Sequence, residues 1–139
     1  MRAVSRAALA ALVTLAACGG DDSPPGTFTE IFETLFPPTT NARCNFCHSM
    51  PASDISNGNL STGTAQDTAY AALVGTTSSS SRCAGKQFVV PFHPEQSLLL
   101  EKLQDEPSCG DRMPLGGMAL SETELEVVRS WIAAGAKND

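Results

Sequence analysis

The chain has 139 residues, of which 42% are hydrophobic and 17% are charged, and its formal net charge is −6 at pH 7. This length predicts one modest domain and excludes a two-lobed enzyme, while the apolar share excludes disorder throughout. The acidic balance argues against binding of nucleic acid, because phosphate backbones attract basic surfaces.

The first residues have the pattern of an export signal. Arg2 and Arg6 introduce an apolar run over residues 7–17, which is too short to span a membrane as a permanent helix. The run ends in the sequence LAAC, which resembles a bacterial lipobox. We therefore expect residues 1–17 to be a signal peptide and Cys18 to become the lipidated first residue. The alternative is an ordinary secreted protein that is cleaved nearby and keeps Cys18 as a free thiol.

Loss of the signal peptide would leave seven basic and fifteen acidic side chains, a formal charge of −8. Such a charge favours weakly steered contact with a partner protein that bears a basic patch. Residues 18–26 are rich in Gly, Asp and Pro and contain almost nothing apolar, which predicts a tether between the lipid and the domain. We expect the folded domain to cover residues 27–139.

Helical periodicity begins directly after the tether. Apolar side chains recur there at i, i+3, i+4, i+7 and i+8 and predict an amphipathic helix, which Pro37 and Pro38 end. The apolar positions are Phe28, Ile31, Phe32, Leu35 and Phe36. A second helix is expected over about residues 65–74, with Gly75 as its stop.

The second half of the chain predicts two further helices. Residues 88–91 read FVVP and are expected to be extended, and Pro94 then opens a helix that ends near Gln104. A capping box of Ser121 and Glu124 predicts the start of the last helix, and Gly135 predicts its end. Because neither alternating strands nor an internal repeat appears, the predicted fold class is all-α with long loops.

One motif carries recognisable chemistry. The sequence Cys44-Asn45-Phe46-Cys47-His48 has the C-x-x-C-H pattern by which c-type haem is attached. Two intervening residues place both thiols on one side of a helical turn, where each can add to a vinyl group of the same porphyrin. His48 follows at once and would present a ring nitrogen to the iron. Since this attachment takes place outside the cytoplasm in bacteria, the motif and the export signal support one interpretation, a single covalent haem c.

Three other interpretations of this motif are weaker. A zinc site needs four ligands, and the remaining cysteines lack a matching second pair. A thioredoxin-like redox pair requires a strand-to-helix junction in a βαβ unit, which the sequence does not predict. A plain structural disulfide between Cys44 and Cys47 would close too small a loop to contribute much stability.

The second axial iron ligand has four candidates. We favour Met113, because the proline after it disfavours helix and keeps the methionine on an extended loop. Met50 is only two residues past His48 and cannot reach the opposite face of a porphyrin. Met118, after two glycines, is a weak candidate, and His93 is the main rival because bis-histidine ligation is also known for haem. A methionine ligand would raise the reduction potential relative to a second histidine.

Two cysteines remain after the lipid and the motif are accounted for. In an oxidising compartment an even remainder usually pairs, so we expect a disulfide between Cys83 and Cys109. The alternative is a pair of free buried thiols, since spacing does not prove connectivity. The disulfide would also fix the start of the loop that carries Met113.

These landmarks, taken together, resemble the planctomycete-type cytochrome c domain over about residues 27–136. In chain order they are the Phe-rich helix, CNFCH, the Tyr70 to Leu73 helix, VP at 90–91, SLL at 97–99, CG at 109–110, RMP at 112–114, LS at 120–121 and WIAAGA at 131–136. The resemblance implies a cytochrome c-like helical domain wrapped around the haem. It also implies that Met113 is the distal ligand and that the first and last helices pack together near the haem edge. His93 before Pro94 departs from the family pattern.

The expected function is electron transfer rather than catalysis. With both axial positions filled the iron has no open site, and no paired carboxylate or nucleophile constellation appears. We expect an exported one-electron carrier in the cell envelope, lipid-anchored on the periplasmic side or at the outer membrane, with protein redox partners. The alternatives are a haem-based gas sensor or minor peroxidase with an open iron site, and a structural surface lipoprotein that lacks haem.

Overall fold

The computed structural model describes residues 25–52 and 57–139 and shows a small all-α domain. Its helices are α1 (Phe28–Leu35), α2 (Cys44–His48), α3 (Gln66–Leu73), α4 (Leu98–Leu103) and α5 (Glu122–Ala133), with a short 3₁₀ helix at Pro94–Gln96. In the described ranges, β-structure is limited to two isolated bridges, and no helix is long and apolar enough to cross a membrane. The expected signal peptide, Cys18 and most of the expected tether lie outside the described residues.

Helix α1 forms as its periodicity predicts. Thr27 caps it, with its hydroxyl oxygen accepting a hydrogen bond from the Glu30 N–H at 3.1 Å. The Asp139 carboxylate accepts another from the Phe28 N–H at 3.0 Å, which places a negative charge at the positive end of the helix dipole. The apolar stripe is buried, so α1 is anchored both at its N-terminus and along one face.

Helix α5 begins at the predicted capping box. The Ser121 hydroxyl accepts from the Glu124 N–H at 3.3 Å, and the Glu124 carboxylate accepts from the Ser121 N–H at 2.7 Å. Gly135, at φ +105°, ends the helix in a conformation that suits glycine. Gly26 packs on the outside of α5, where a β-carbon would lie 2.5 Å from the Val127 carbonyl oxygen. The packed part of the chain therefore begins at residue 26 or before it.

An aromatic cluster joins α1, α3 and α5. The Phe28 ring lies 5.2 Å from Trp131 and 5.3 Å from Tyr70, measured between ring centroids. The polar atoms of the cluster are also satisfied, because the Tyr70 hydroxyl donates to the Ala136 carbonyl at 2.8 Å and Trp131 Nε1 donates to the Lys137 carbonyl at 2.7 Å. The expected contact between the first and last helices is thus present.

The helix expected from Pro94 to about Gln104 is divided into two pieces. Ser97 is extended, at φ −91° and ψ 115°, between the 3₁₀ helix and α4. The reason is competition for backbone hydrogen bonds, since the N–H groups of Leu98 and Leu99 donate to the carbonyls of Gln87 and Phe88 at 3.0 and 2.8 Å. The first two N–H groups of α4 therefore bond to residues 87 and 88 and not to the 3₁₀ helix, and the two helices stay separate.

A disulfide connects Cys83 and Cys109, the pairing expected from the sequence, with the two Cα atoms 5.5 Å apart. It joins the loop after residue 76 to the loop that leads to Met113. Cys83 is buried and belongs to the hydrophobic core, so the bond also ties both loops to the interior.

Replacement of both cysteines by serine should lower the free energy of unfolding by about 3.5 kcal/mol, the loop-entropy value for a crosslink that closes a loop of this size. Urea unfolding of the two proteins measures the difference. As a control, a reductant should lower the stability of the wild type and leave the Cys83→Ser/Cys109→Ser variant unchanged. Equal stability of the two proteins without reductant would contradict the assigned crosslink.

Candidate haem-binding site

Helix α2 carries the whole C-x-x-C-H motif and is fixed at both ends. Arg43 turns the chain into it with a left-handed backbone, at φ +47°, and the Asn45 N–H then donates to the Phe36 carbonyl at 2.9 Å. At its other end the Thr62 N–H donates to the His48 carbonyl at 2.7 Å. A five-residue helix has little stability of its own, so these contacts with flanking segments set its position.

The motif lies against a cavity with a volume of about 590 Å³. Both thiols and His48 line one side of it. Much of the remaining lining is apolar and comes from α1, α3, α4, α5 and the segments between them. These apolar residues include Ile31, Leu35, Phe36, Leu73, Phe88, Leu98, Leu99, Leu103 and Val128. The cavity thus combines two free thiols and an imidazole with an apolar lining.

His48 is held in one tautomer. Its Nδ1 lies 3.1 Å from the Leu60 carbonyl oxygen, and a carbonyl can only accept, so Nδ1 carries the proton of the neutral ring. The lone pair is then on Nε2, as a metal-ligating histidine requires. Burial lowers the pKa of His48, and the hydrogen bond to the Leu60 carbonyl partly opposes this shift. The lowered pKa favours the neutral ring at pH 7.

The two thiols differ in exposure. Cys47 is exposed, whereas Cys44 packs against the hydrophobic core, and burial raises the pKa of the Cys44 thiol to about 12. Both cysteines are free of disulfide bonds. The structure thus presents two available thiols on one helical turn, one at the surface and one facing the interior.

Met113 lines the same cavity as His48 and packs against the core. Its loop is non-helical, as expected, and its N–H donates to the Lys102 carbonyl at 2.7 Å. Arg112 braces the loop from the other side, with Nη2 donating to the Gly117 carbonyl at 3.0 Å. The loop starts at the disulfide-bonded Cys109, so Met113 is positioned by the disulfide and by the backbone hydrogen bond to α4.

The other three distal candidates do not line this cavity. Met118 and Met50 are 72% and 50% exposed. His93 is exposed beside the 3₁₀ helix, where its Nδ1 lies 3.2 Å from a Glu95 carboxylate oxygen. Of the four candidates, only Met113 lines the cavity that Cys44, Cys47 and His48 also line.

Two apolar side chains of the cavity lining are exposed to solvent. Phe46 is 69% exposed and Leu115 is 67% exposed, and both belong to the cavity lining. The Arg43 guanidinium lies over the Phe46 ring, 5.8 Å from its centroid. The exposed part of the lining thus includes an apolar ring with a cation beside it.

The chain matches no family model, curated protein or solved structure. The site is therefore interpreted from its own geometry and chemistry. In the described ranges, no group of three or more His, Cys, Asp and Glu side chains is arranged to hold a metal ion. Such a group is not what haem needs, because the porphyrin supplies four of the iron ligands and the protein supplies the two axial ones.

Sequence reasoning missed several groups that shape the site. The Leu60 carbonyl orients His48, and the Thr62 N–H holds the end of α2. Almost every residue has these backbone groups, so the sequence does not show which of them will make such contacts. Lys102 also lines the cavity, although it reads in the sequence as an ordinary exposed lysine of α4. Its position could have been suspected only from the leucines on either side of it, at positions 99 and 103, which also line the cavity.

The unequal exposure of the two thiols predicts unequal reactivity in the chain without haem. In reduced Cys44 and Cys47, iodoacetamide at pH 8 should modify Cys47 at least about tenfold faster, because the thiolate is the nucleophile and a thiol with its pKa near 12 stays protonated. Peptide mass spectrometry over time measures both rates. Unmodified Cys83 and Cys109 serve as the control for an intact disulfide. Equal rates at Cys44 and Cys47 would contradict the described packing of α2.

Proposed function

We propose that the protein is an exported mono-haem c-type cytochrome that carries single electrons. The observation that supports this most is the convergence of three chemistries on one cavity: two free thiols on one helical turn, a half-buried imidazole with its Nε2 lone pair free, and a methionine from a separate loop. Each has the role that covalent attachment and axial ligation of haem require.

The cavity suits a large apolar ligand. Its volume falls within the range of about 300–1,000 Å³ for cofactor sites, and its lining is rich in leucine, isoleucine and phenylalanine. Cys44 and Cys47 would hold the porphyrin through thioether bonds, and His48 and Met113 would supply the axial ligands. The donor set and the surroundings therefore fit haem c.

Bound haem would supply a one-electron couple between ferric and ferrous iron. The chain's own residues would set how that couple behaves. The Leu60 carbonyl holds the His48 ring in one tautomer and orientation, which would leave Nε2 free to bind the iron. The thioether of Met113 would favour the reduced state relative to a second imidazole, and the apolar lining would exclude water. Two protein ligands leave no position for substrate, so this arrangement favours electron transfer over catalysis.

The location proposed for this carrier is the cell envelope. The basic start, the short apolar run and the LAAC sequence support export and attachment through Cys18, and haem attachment outside the cytoplasm requires the same export. The proposed partners are redox proteins, which would approach over Phe46 and Leu115, two exposed apolar residues of the cavity lining.

Replacement of Met113 by alanine should remove the methionine-to-iron charge-transfer band from the oxidised spectrum and lower the reduction potential, because the thioether ligand is lost. Visible spectra and a redox titration of protein exported with haem-attachment machinery measure both changes. Met118→Ala is the matched control and should leave both unchanged.

The same comparison with His93→Ala tests the rival ligand. Wild-type ligation in this variant is expected, because His93 lies outside the cavity. Loss of the wild-type spectrum in His93→Ala, with Met113→Ala unaffected, would overturn the proposed ligand pair.

A further inference from the structure

One part of the cavity wall is polar and lies around the disulfide. It is formed by Ser78, Ser80, Arg82, Lys102 and Asp111, which all line the cavity. Arg82 and Asp111 form an ion pair with each other and are well exposed to solvent. Their charges are thus already compensated. A cofactor that fills the apolar interior would meet this polar wall with one of its edges.

Lys102 is the uncompensated charge of this wall. In the described ranges its Nζ donates to the Cys109 carbonyl at 2.9 Å and takes part in no ion pair. An ammonium has three donors, so two of them remain for a ligand. The side chain is half-buried in the cavity lining, so the ammonium lies where an incoming ligand group could reach it.

Gly110 leaves room for the Lys102 ammonium. A β-carbon at this position would lie 2.9 Å from Lys102 Nζ and 3.6 Å from Cys83 Sγ, and the backbone has a φ of +61° that suits glycine. The disulfide, the glycine and the Cys109 carbonyl thus hold one ammonium group at a cavity wall. Such an arrangement costs desolvation of the charge, which an anionic ligand group would offset.

We propose that Lys102 is the counter-ion of a haem propionate carboxylate and thereby helps to set the reduction potential. The inference rests on the proposed function, since haem brings the carboxylates. A carboxylate that enters a partly desolvated cavity needs a cation and hydrogen-bond donors, and Lys102 offers both on the polar wall. Its positive charge also stabilises the ferrous state, which carries one positive charge fewer than the ferric state.

The test is the reduction potential of Lys102→Gln, measured at pH 8, where carboxylates are ionised. We expect the equilibrium to shift toward the oxidised protein by about tenfold, equivalent to about 59 mV for a one-electron couple. Lys102→Arg keeps the charge and should stay within about twofold of wild type, as should the control Lys137→Gln, which removes an exposed ammonium outside the cavity lining.

A change at Lys102 could also move Met113, because the Lys102 carbonyl accepts a hydrogen bond from the Met113 N–H. The methionine-to-iron band therefore serves to report whether Met113 stays in place. An unchanged potential in Lys102→Gln with the band intact would overturn the inference, and so would equal shifts in Lys102→Gln and Lys102→Arg. Loss of the band in Lys102→Gln would assign the side chain to holding the Met113 loop and would also overturn it. Failure of the wild type to attach haem is a separate outcome that refutes the proposed function itself.

Discussion

The hydrogen bonds at the two ends of α2 are the constraint on which the rest of the site depends. A five-residue helix cannot hold its own position, yet it carries every atom proposed to bond to the porphyrin and one of the two proposed iron ligands. The Phe36 carbonyl fixes its first turn to the end of α1, and Thr62 fixes its last carbonyl. Since α1 is in turn packed on α3 and α5 by the aromatic cluster, the motif is placed by the whole domain.

The opposite side of the cavity depends on a covalent constraint. Cys83 and Cys109 join two loops that have little secondary structure. The Met113 loop begins at Cys109, and the Lys102 ammonium donates to the Cys109 carbonyl. The stability of the fold and the geometry of the site are therefore coupled. The pairing and the bond to α4 explain how a long loop can place Met113, the proposed distal ligand, in the cavity lining.

The sequence predicted best what is periodic or local. The amphipathic pattern of α1 and the capping box of α5 appear in the fold as expected, because each depends on neighbours in the chain. The division of the expected helix at Ser97 was missed, since the carbonyls of Gln87 and Phe88 outcompete helix formation through tertiary contacts. Local propensity could not reveal that competition.

The same distinction applies to the site. The motif of adjacent residues identified the candidate side chains at positions 44, 47 and 48. The proline after Met113 predicted that this methionine lies on a non-helical loop. The groups that tune them come from elsewhere: the Leu60 carbonyl is twelve residues from His48, and Lys102 is brought in by the packing of α4. Short-range patterns predict which chemistry is present, whereas its orientation and charge environment are set by the fold.

The central claim is that α2 holds haem covalently, and the most direct measurement is the intact mass of the denatured protein after export with haem-attachment machinery. The account predicts a mass increase of one haem in the wild type, which survives extraction with acidified acetone. The increase should be absent in Cys44→Ala/Cys47→Ala and kept in Cys83→Ser/Cys109→Ser. A wild-type mass without haem, in a preparation where a known c-type cytochrome is fully loaded, would contradict the account.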